Sequence, residues 1–342
     1  MRTKVLATTG PRLCEVEHFI DCAADGIYDF RIHLGKNRDN LQFIKNIIEA
    51  QKISGKKLNV YVDIPSNRPR IGKIEKTLLQ SGSYICFYDS KEKNVKSNIE
   101  VSRYIPVDML DGFIGKLKNN TNLLIKDGNI VLDIIYLNKK GKYFVGKCVK
   151  AVTPFESGAS CHVRGMNYEL LTDETINFIK LLKEHDIEIY GIIFSFSSSS
   201  SQILNAKKII SDILNSDSIK YIAKIESREG IKNFESICNV SDAIMIGRGD
   251  LAQDIQPYYL PIIQQELIVK AAKMKTKVIV ATHFLEKYAH NGYLSAAELN
   301  DIWCAIQQGA NMIMLSGESG GSPLSKQCMK LLVYLIKEFE KQ

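Results

Sequence analysis

Along most of the chain, short apolar or alternating runs give way to longer stretches whose apolar positions recur three and four apart. Residues 4–9 are strand-like, and 13–24 carry an apolar stripe at helical spacing. Residues 28–34 predict a second strand, 40–51 a helix, and 58–64 a third strand. Past Pro65 the beat breaks. To about Ser160 there are short strands punctuated by Gly, Asn-Asn and Asp-Gly turns. Residues 122–125 and 130–137 flank Asp127-Gly128, a dipeptide suited to tight primed turns, and so predict a hairpin. Residues 143–151 alternate again, so this stretch reads as a small all-β insertion. The beat resumes with a helix over 172–185, whose Thr-Asp-Glu start supplies an N-cap and early acids. Strands are predicted over 188–194, 221–226, 243–247, 277–282 and 312–315. Helices follow them, ending at Leu214 and then over 231–238, 259–273, 296–308 and 324–339.

Eight strands, each followed by a helix, is the count that closes a (β/α)8 barrel. The predicted fold is therefore α/β: a (β/α)8 TIM barrel with a small all-β barrel domain inserted after the third strand. The barrel takes residues 1–65 and 161–342 and the lid-like insertion 66–160. An open doubly wound sheet is the runner-up, but the chain has neither GxGxxG nor GxxxxGK[ST].

The stretch from Tyr221 to Asp250 carries the chemistry. Two apolar runs there stop abruptly, the first at Lys224, Ile225 and Glu226, the second at Arg248, Gly249 and Asp250. Their carboxyl ends are neighbours in a parallel barrel. Two carboxylates meeting there repel unless a cation lies between them, and hard divalent ions such as magnesium take oxygen ligands. Lys224 is then a fixed charge of the kind a transferring phosphoryl group needs. A surface salt bridge is the bland account of one such strand end, and less so of two in succession. The other predicted strand ends deliver Thr8, Thr9 and Gly10, Arg31 with His33, Asp63, Ser195, Thr282, and Ser316 with Glu318. Nearly every strand brings a polar group to one rim.

Composition narrows the classes. With 45% hydrophobic and 24% charged residues the chain is an ordinary globular protein, and no apolar run reaches the roughly 18 residues of a membrane span. The N-terminus has no signal-peptide pattern, so a cytoplasmic address is expected. The net charge of +7 is spread along the chain without a basic block or an aromatic nucleic-acid motif; an anionic small-molecule pocket accounts for it better than nucleic acid. Eight scattered cysteines, without a CxxC pair, read as reduced and mostly buried.

The blocks IAKIESREG, IMIGRGDLAQDI, VIVATHFLE and MIMLSGESGG, with the opening TKVLATTGP, resemble the signature blocks of pyruvate kinases. DGNIVLDI and VRGMNYELLTDET extend the resemblance through the insertion, so that it covers essentially the whole chain. The resemblance implies phosphoryl transfer between phosphoenolpyruvate and ADP, giving pyruvate and ATP, at a site between barrel and β-domain. It implies Mg2+, or Mn2+, on Glu226 and Asp250. Lys224 stands where the family stabilises the phosphoryl in flight. Gly249, Asp250 and Thr282 stand at the enolpyruvate carboxylate, and Thr282, with Ser316 and Glu318 behind it, lies on the proton route to the enolate. Arg31 and Arg70 match the arginines that hold the phosphate and nucleotide side, and Arg164 stands at a nucleotide-facing position.

The chain also departs from the family pattern. In Arg31-Ile32-His33-Leu34-Gly35-Lys36, an Asn and a Ser that help to hold a monovalent cation have become His33 and Gly35; His33 also replaces a nucleotide-side residue. Ile64 replaces a threonine ligand, and Arg68 replaces an acid. The K+ site is expected to be lost, with Arg68 as substitute charge. His283 replaces a Gln, and Leu294 to Glu298 replaces a block that helps to form a subunit contact, leaving a homodimer open. No C-terminal regulatory domain is expected. Other readings stay open: a phosphotransferase with a different acceptor or donor in a specialised pathway, a non-catalytic regulatory homologue, or a metal-dependent aldolase or lyase. The serine run 197–201 reads equally as a phosphate contact or a capped loop, and His33 equally as a rim or a core histidine. His18, His185 and His290 carry no assignment.

Overall fold

The computed structural model describes residues 2–35, 39–126, 128–216 and 218–341. Asp127 of the predicted hairpin turn, and Lys36, lie outside the described residues. The strands, in chain order, are β1 (Lys4–Thr8), β2 (Asp29–His33), β3 (Asn59–Ile64), β4 (Arg70–Ile71), β5 (Tyr84–Asp89), β6 (Arg103–Asp108), β7 (Asn122–Ile125), β8 (Ile130–Asn138), β9 (Tyr143–Ala151), β10 (Cys161–Val163), β11 (Gly191–Phe194), β12 (Lys220–Ile225), β13 (Ala243–Gly247), β14 (Lys277–Ala281) and β15 (Met312–Leu315).

Two compact units result. The first takes residues 1–66, 170–252 and 258–342, the second 67–169 and 253–257. In the first, β1, β2, β3 and β11 to β15 close into an eight-stranded parallel barrel. These strands are continuous buried runs of Val, Ile, Met and Phe, as strands covered on both faces must be. Their inward side chains, among them Leu6, Tyr61, Ile222, Met245, Ile279 and Met314, fill the interior, which is a packed core and not a pore. The barrel closes by pairing β1 with β15, Lys4 opposite Met312. The carboxylate of Glu340 reinforces that seam by accepting from the backbone N–H of Arg2 at 2.8 Å and of Thr3.

The second unit is a seven-stranded sheet in the order β10-β7-β8-β9-β5-β6-β4. Its two edge strands meet through an isolated bridge between Arg70 and Ser160, which gives the sheet its barrel-like form. Against the all-β expectation it also contains a short helix, Asp111–Ile114. Residues 253–257 belong to it because the Asp254 carboxylate accepts from Gly165 N at 2.8 Å and lies 2.9 Å from His162 Nε2.

The helices around the barrel follow their caps. Thr172 accepts from Thr175 N at the start of Asp173–Glu184, as its sequence implies. The serine run has the same office: Ser199 caps the helix Ser200–Leu214. The predicted helix over 231–238 is instead two single turns, Arg228–Lys232 and Phe234–Cys238, broken at Asn233. All eight cysteines are free thiols, six of them buried. No helix among the described residues is long and apolar enough to cross a membrane.

Glu298 does work the sequence did not announce. It closes a capping box with Ser295 at the start of Ala296–Gln308. Its Oε1 also accepts from Lys287 N at 2.9 Å and Tyr288 N at 3.1 Å, which ties the short helix Glu286–Asn291 to the same carboxylate. Burial would raise its pKa, but the hydrogen bonds from Ser295 and the two backbone donors hold it below the ordinary carboxylate value. Ser295→Ala is expected to cost about 1 kcal/mol in urea unfolding, and Glu298→Gln about 2 kcal/mol at neutral pH. Because the folded carboxyl is depressed, its contribution is full above the unfolded pKa and fades as pH falls through the folded one. The gap between the parent chain and Glu298→Gln should therefore narrow from pH 7 towards pH 3. A gap that is constant with pH would show that the charge plays no part.

Candidate functional site

The carboxyl ends of the barrel strands bring most of the sequence-predicted residues together. At the centre is Asp63, fully buried near the end of β3. Arg31, from β2, donates to it through Nε at 2.7 Å. Ser195 Oγ donates to its other oxygen at 3.0 Å, and Lys224 Nζ lies 3.8 Å away. Burial alone would favour the neutral acid; Lys224 and Arg31 overcome it and hold the carboxyl far below its usual range. Arg31 also donates to Thr8 Oγ1 at 3.1 Å and sits 3.3 Å from His33 Nδ1. His33 is thus a rim residue facing an arginine, not a packed core histidine.

Lys224 Nζ is 2.8 Å from Glu226 Oε1 and only 7% exposed. Burial pulls its pKa down, yet Asp63 and Glu226 outweigh that and keep it above the ordinary lysine value. The ammonium is therefore a permanent charge at neutral pH. Glu226 shifts the other way: burial, with the charge of Asp250, pushes its carboxyl up against the pull of Lys224. Its second oxygen accepts from Phe196 N at 3.0 Å. Gly247 makes room for this carboxylate, since a Cβ there would lie 2.7 Å from Glu226 Oε1. Asp250 stands in the first turn of the helix Arg248–Asp254, which begins directly where β13 ends. Glu226 and Asp250 are an oxygen donor pair whose repulsion a hard cation would relieve, so the residues fit a divalent ion. No group of three or more His, Cys, Asp or Glu placed to hold a metal occurs among the described residues.

Beyond β14 the backbone turns through the left-handed region at Thr282, His283 and Leu285, with φ of 73°, 61° and 55°. For a β-branched threonine this costs about 1–3 kcal/mol. Arg248 holds the loop in place. Its Nε donates to the Thr282 carbonyl at 3.0 Å and its Nη2 to the same oxygen. Its fork takes Asp301 at 2.7 and 2.9 Å, and its plane lies 3.9 Å over the Phe284 ring. The result is that Thr282 Oγ1 accepts from Gly249 N at 3.1 Å, beside the helix that carries Asp250. His283 Nδ1 lies 3.3 Å from Glu286 Oε2.

Ser316 directly follows β15, and its N–H donates to Glu318 at 2.6 Å. Burial raises the Glu318 carboxyl, and the charges of Glu286 and His283 reach it, which groups it with the Thr282 loop. Between the ends of β1, β2 and β15 lies a cleft of about 280 Å3 lined by Thr8, Arg31, His33 and Ser316. Gly10 and Gly320 meet backbone to backbone beside it; a Cβ on Gly10 would lie within 3 Å of the Gly320 carbonyl.

Three basic residues belong to the second unit. Arg70 Nη1 donates to the Gly158 carbonyl at 3.1 Å, and Arg164 Nε to that of Gln253 at 2.9 Å. Arg68 is buried there, its charge acting on Cys161 and Tyr168. Sequence reasoning placed Arg248 at a strand end without giving it a role, and passed over Asp301 and Gly247. Asp301 has no local signal, since it lies mid-helix and 53 residues away.

Comparison with known proteins agrees with this architecture. The family model for the pyruvate kinase barrel domain matches residues 1–326. The pyruvate kinase of Thermotoga maritima is 29% identical over 99% of this chain and 71% of its own length. That of Dictyostelium discoideum is 27% identical over 99% of this chain and 66% of its own. Among solved structures, a pyruvate kinase from Cryptosporidium parvum superposes with a TM-score of 0.84 at 22% identity, covering 99% of this chain and 69% of that one. At that identity the superposition speaks for the fold. The match to the family model over nearly the whole length speaks for descent, and the chain belongs to the pyruvate kinase family.

Proposed function

We propose that this chain transfers the phosphoryl group of phosphoenolpyruvate to ADP, giving pyruvate and ATP. The observation that carries the reading is the buried Lys224 ammonium, 2.8 Å from Glu226 and held charged by Asp63. In the reaction the enol oxygen–phosphorus bond breaks, a bond from phosphorus to the terminal oxygen of ADP forms, and the enolate carbon takes up a proton. Negative charge grows on the departing enolate and spreads over the phosphoryl oxygens, so a desolvated cation beside them lowers the barrier. Lys224 has that position and Arg31 flanks it. A magnesium ion on Glu226 and Asp250, completed by substrate and water oxygens, would supply further Lewis-acid stabilisation. Gly249 N and Thr282 Oγ1 stand at the start of a helix, where a carboxylate is well received. Thr282, with Ser316 and Glu318 behind it, is the proton route, and Arg70 and Arg164 serve the nucleotide.

Two further assignments follow from this reading. The charge of Asp63 is already balanced by Arg31 and Lys224, which supports a site that works without potassium, Arg68 adding to the positive charge. Arg248 acts at one remove, by keeping Thr282 in its left-handed turn.

A coupled assay for pyruvate tests the reading. Release should require phosphoenolpyruvate, ADP and Mg2+ or Mn2+, and Lys224→Met should lower kcat by about 10²–10³-fold while the protein still melts cooperatively. No pyruvate from the parent chain, or an unchanged rate in Lys224→Met, would overturn it. A second acceptor that outperformed ADP would point instead to the specialised phosphotransferase that His33 and His283 on the rim allow.

The rate should be nearly the same in potassium and in a tetraalkylammonium salt of equal ionic strength; a steep rise with potassium would remove Arg68 from the account. Arg248→Lys keeps the charge but loses the fork to Asp301. It should lower kcat by about ten- to a hundredfold, because the reacting groups lose their alignment, with Asp301→Asn following it. If both variants keep the parental kcat, the loop is held by something else.

A further inference from the structure

The opposite end of the barrel holds a cleft that none of this chemistry uses. It measures about 260 Å3 and opens among the amino-terminal ends of the strands, at Lys4 of β1, Asp29 of β2, Lys220 of β12 and Lys277 of β14. The apolar filling of the barrel, with Tyr61, Ile222 and Ile279, forms its floor and separates it from the carboxyl-end mouth.

Its charge is unbalanced. Arg2, Lys4, Lys220 and Lys277 line it against two carboxylates, Asp29 and Asp242. Asp242 is engaged by Lys220 at 3.0 Å and by Tyr221 N at 2.9 Å. That leaves three cations around the single carboxylate of Asp29. Asp29 is itself 2% exposed, yet it lines the cleft. Its Oδ1 accepts from Asn59 Nδ2 at 2.8 Å and from the Tyr61 hydroxyl at 3.2 Å. Burial pushes the Asp29 carboxyl up from its ordinary range, with Lys4 and Lys277 among the groups opposing the shift. A purely structural plug would pair each charge inside itself. Here a buried acceptor sits at the back and surplus positive charge rings the entrance, which is the layout of a pocket for an anion that also carries a hydrogen-bond donor.

We propose that this cleft binds a small organic oxyanion, its phosphate or carboxylate seated between Lys4 and Lys277 and a neighbouring hydroxyl donating to Asp29. The site is independent of what the other mouth catalyses. Glycerol 3-phosphate, malate and inorganic phosphate are suitable probes: the first two carry the hydroxyl, and only the first and third carry phosphate.

Isothermal titration of each probe into the full chain, at constant ionic strength in chloride, tests the proposal. Saturable binding of glycerol 3-phosphate or malate is expected. It should weaken at least tenfold in Lys4→Gln/Lys277→Gln, two exposed positions whose replacement should leave the melting curve unchanged, and persist in Lys224→Met, which disables the other mouth. Asp29→Asn should erase the advantage of the hydroxylated probes over inorganic phosphate. The ratio between phosphate and malate then assigns the preferred anion. Binding that is lost in Lys224→Met but survives in the double lysine variant would overturn the proposal. So would the absence of any saturable binding, or heats that chloride reproduces. An undiminished hydroxyl preference in Asp29→Asn would remove Asp29 from the site.

Discussion

A carboxylate with no exposure to water, Asp63, sits where the strand ends converge, and everything around it is arranged to keep it ionised. Removing a charge from solvent costs several kcal/mol even after relaxation, about what a small protein has to spare in total. Arg31 from the adjacent β2 and Lys224 from β12, two strands away, repay that cost, and Ser195, just past the end of the other neighbour β11, satisfies the remaining oxygen. The consequence runs outward. Lys224, committed on one side to Asp63, turns its other side to Glu226, and Glu226 lies flat on the backbone because Gly247 offers no side chain. The rim is therefore one connected charge network, in which no member can be removed without stranding another.

A second constraint holds the far side of that rim. Three left-handed residues in four are not a conformation that Thr-His-Phe-Leu adopts unaided. Arg248 imposes it, through a carbonyl, a carboxylate and an aromatic face at once. The planar guanidinium is suited to this because all three contacts lie in or over one plane. Backbone strain held by packing next to a reactive group is how a fold keeps a hydroxyl aimed.

How much of this could be read from the chain varies with the range of the interaction. The eight barrel strands were legible because strands buried on both faces are continuous apolar runs, and two of their ends because charge follows the run abruptly, at Ile225-Glu226 and Gly247-Arg248. Thr172 was readable as a cap since its partner lies three residues on, whereas the serine run left the capping role of Ser199 undecided until the helix was seen. The helix expected over 231–238 breaks at Asn233, whose side chain donates to the Ser198 carbonyl at 2.8 Å, a contact no local period records. The tie of Glu298 to Lys287 and Tyr288, and of Arg248 to Asp301, were likewise hidden, because each joins elements whose approach only the closed barrel determines. The cleft among the amino-terminal strand ends went unseen for a related reason. Lys4, Lys220 and Lys277 look like solvated strand starts until closure sets them in a ring.

That closure bears on how the molecule is made. The strand that pairs with β1 is β15, and the carboxylate of Glu340 clasps a backbone amide 338 positions earlier. During synthesis, therefore, β1 leaves the ribosome with one flank bare and waits for its neighbour until residues 312–315 have followed it. An unpaired apolar edge of this sort is a template for joining another chain. Until β15 arrives the nascent polypeptide is an unfinished curve whose first strand keeps an open edge.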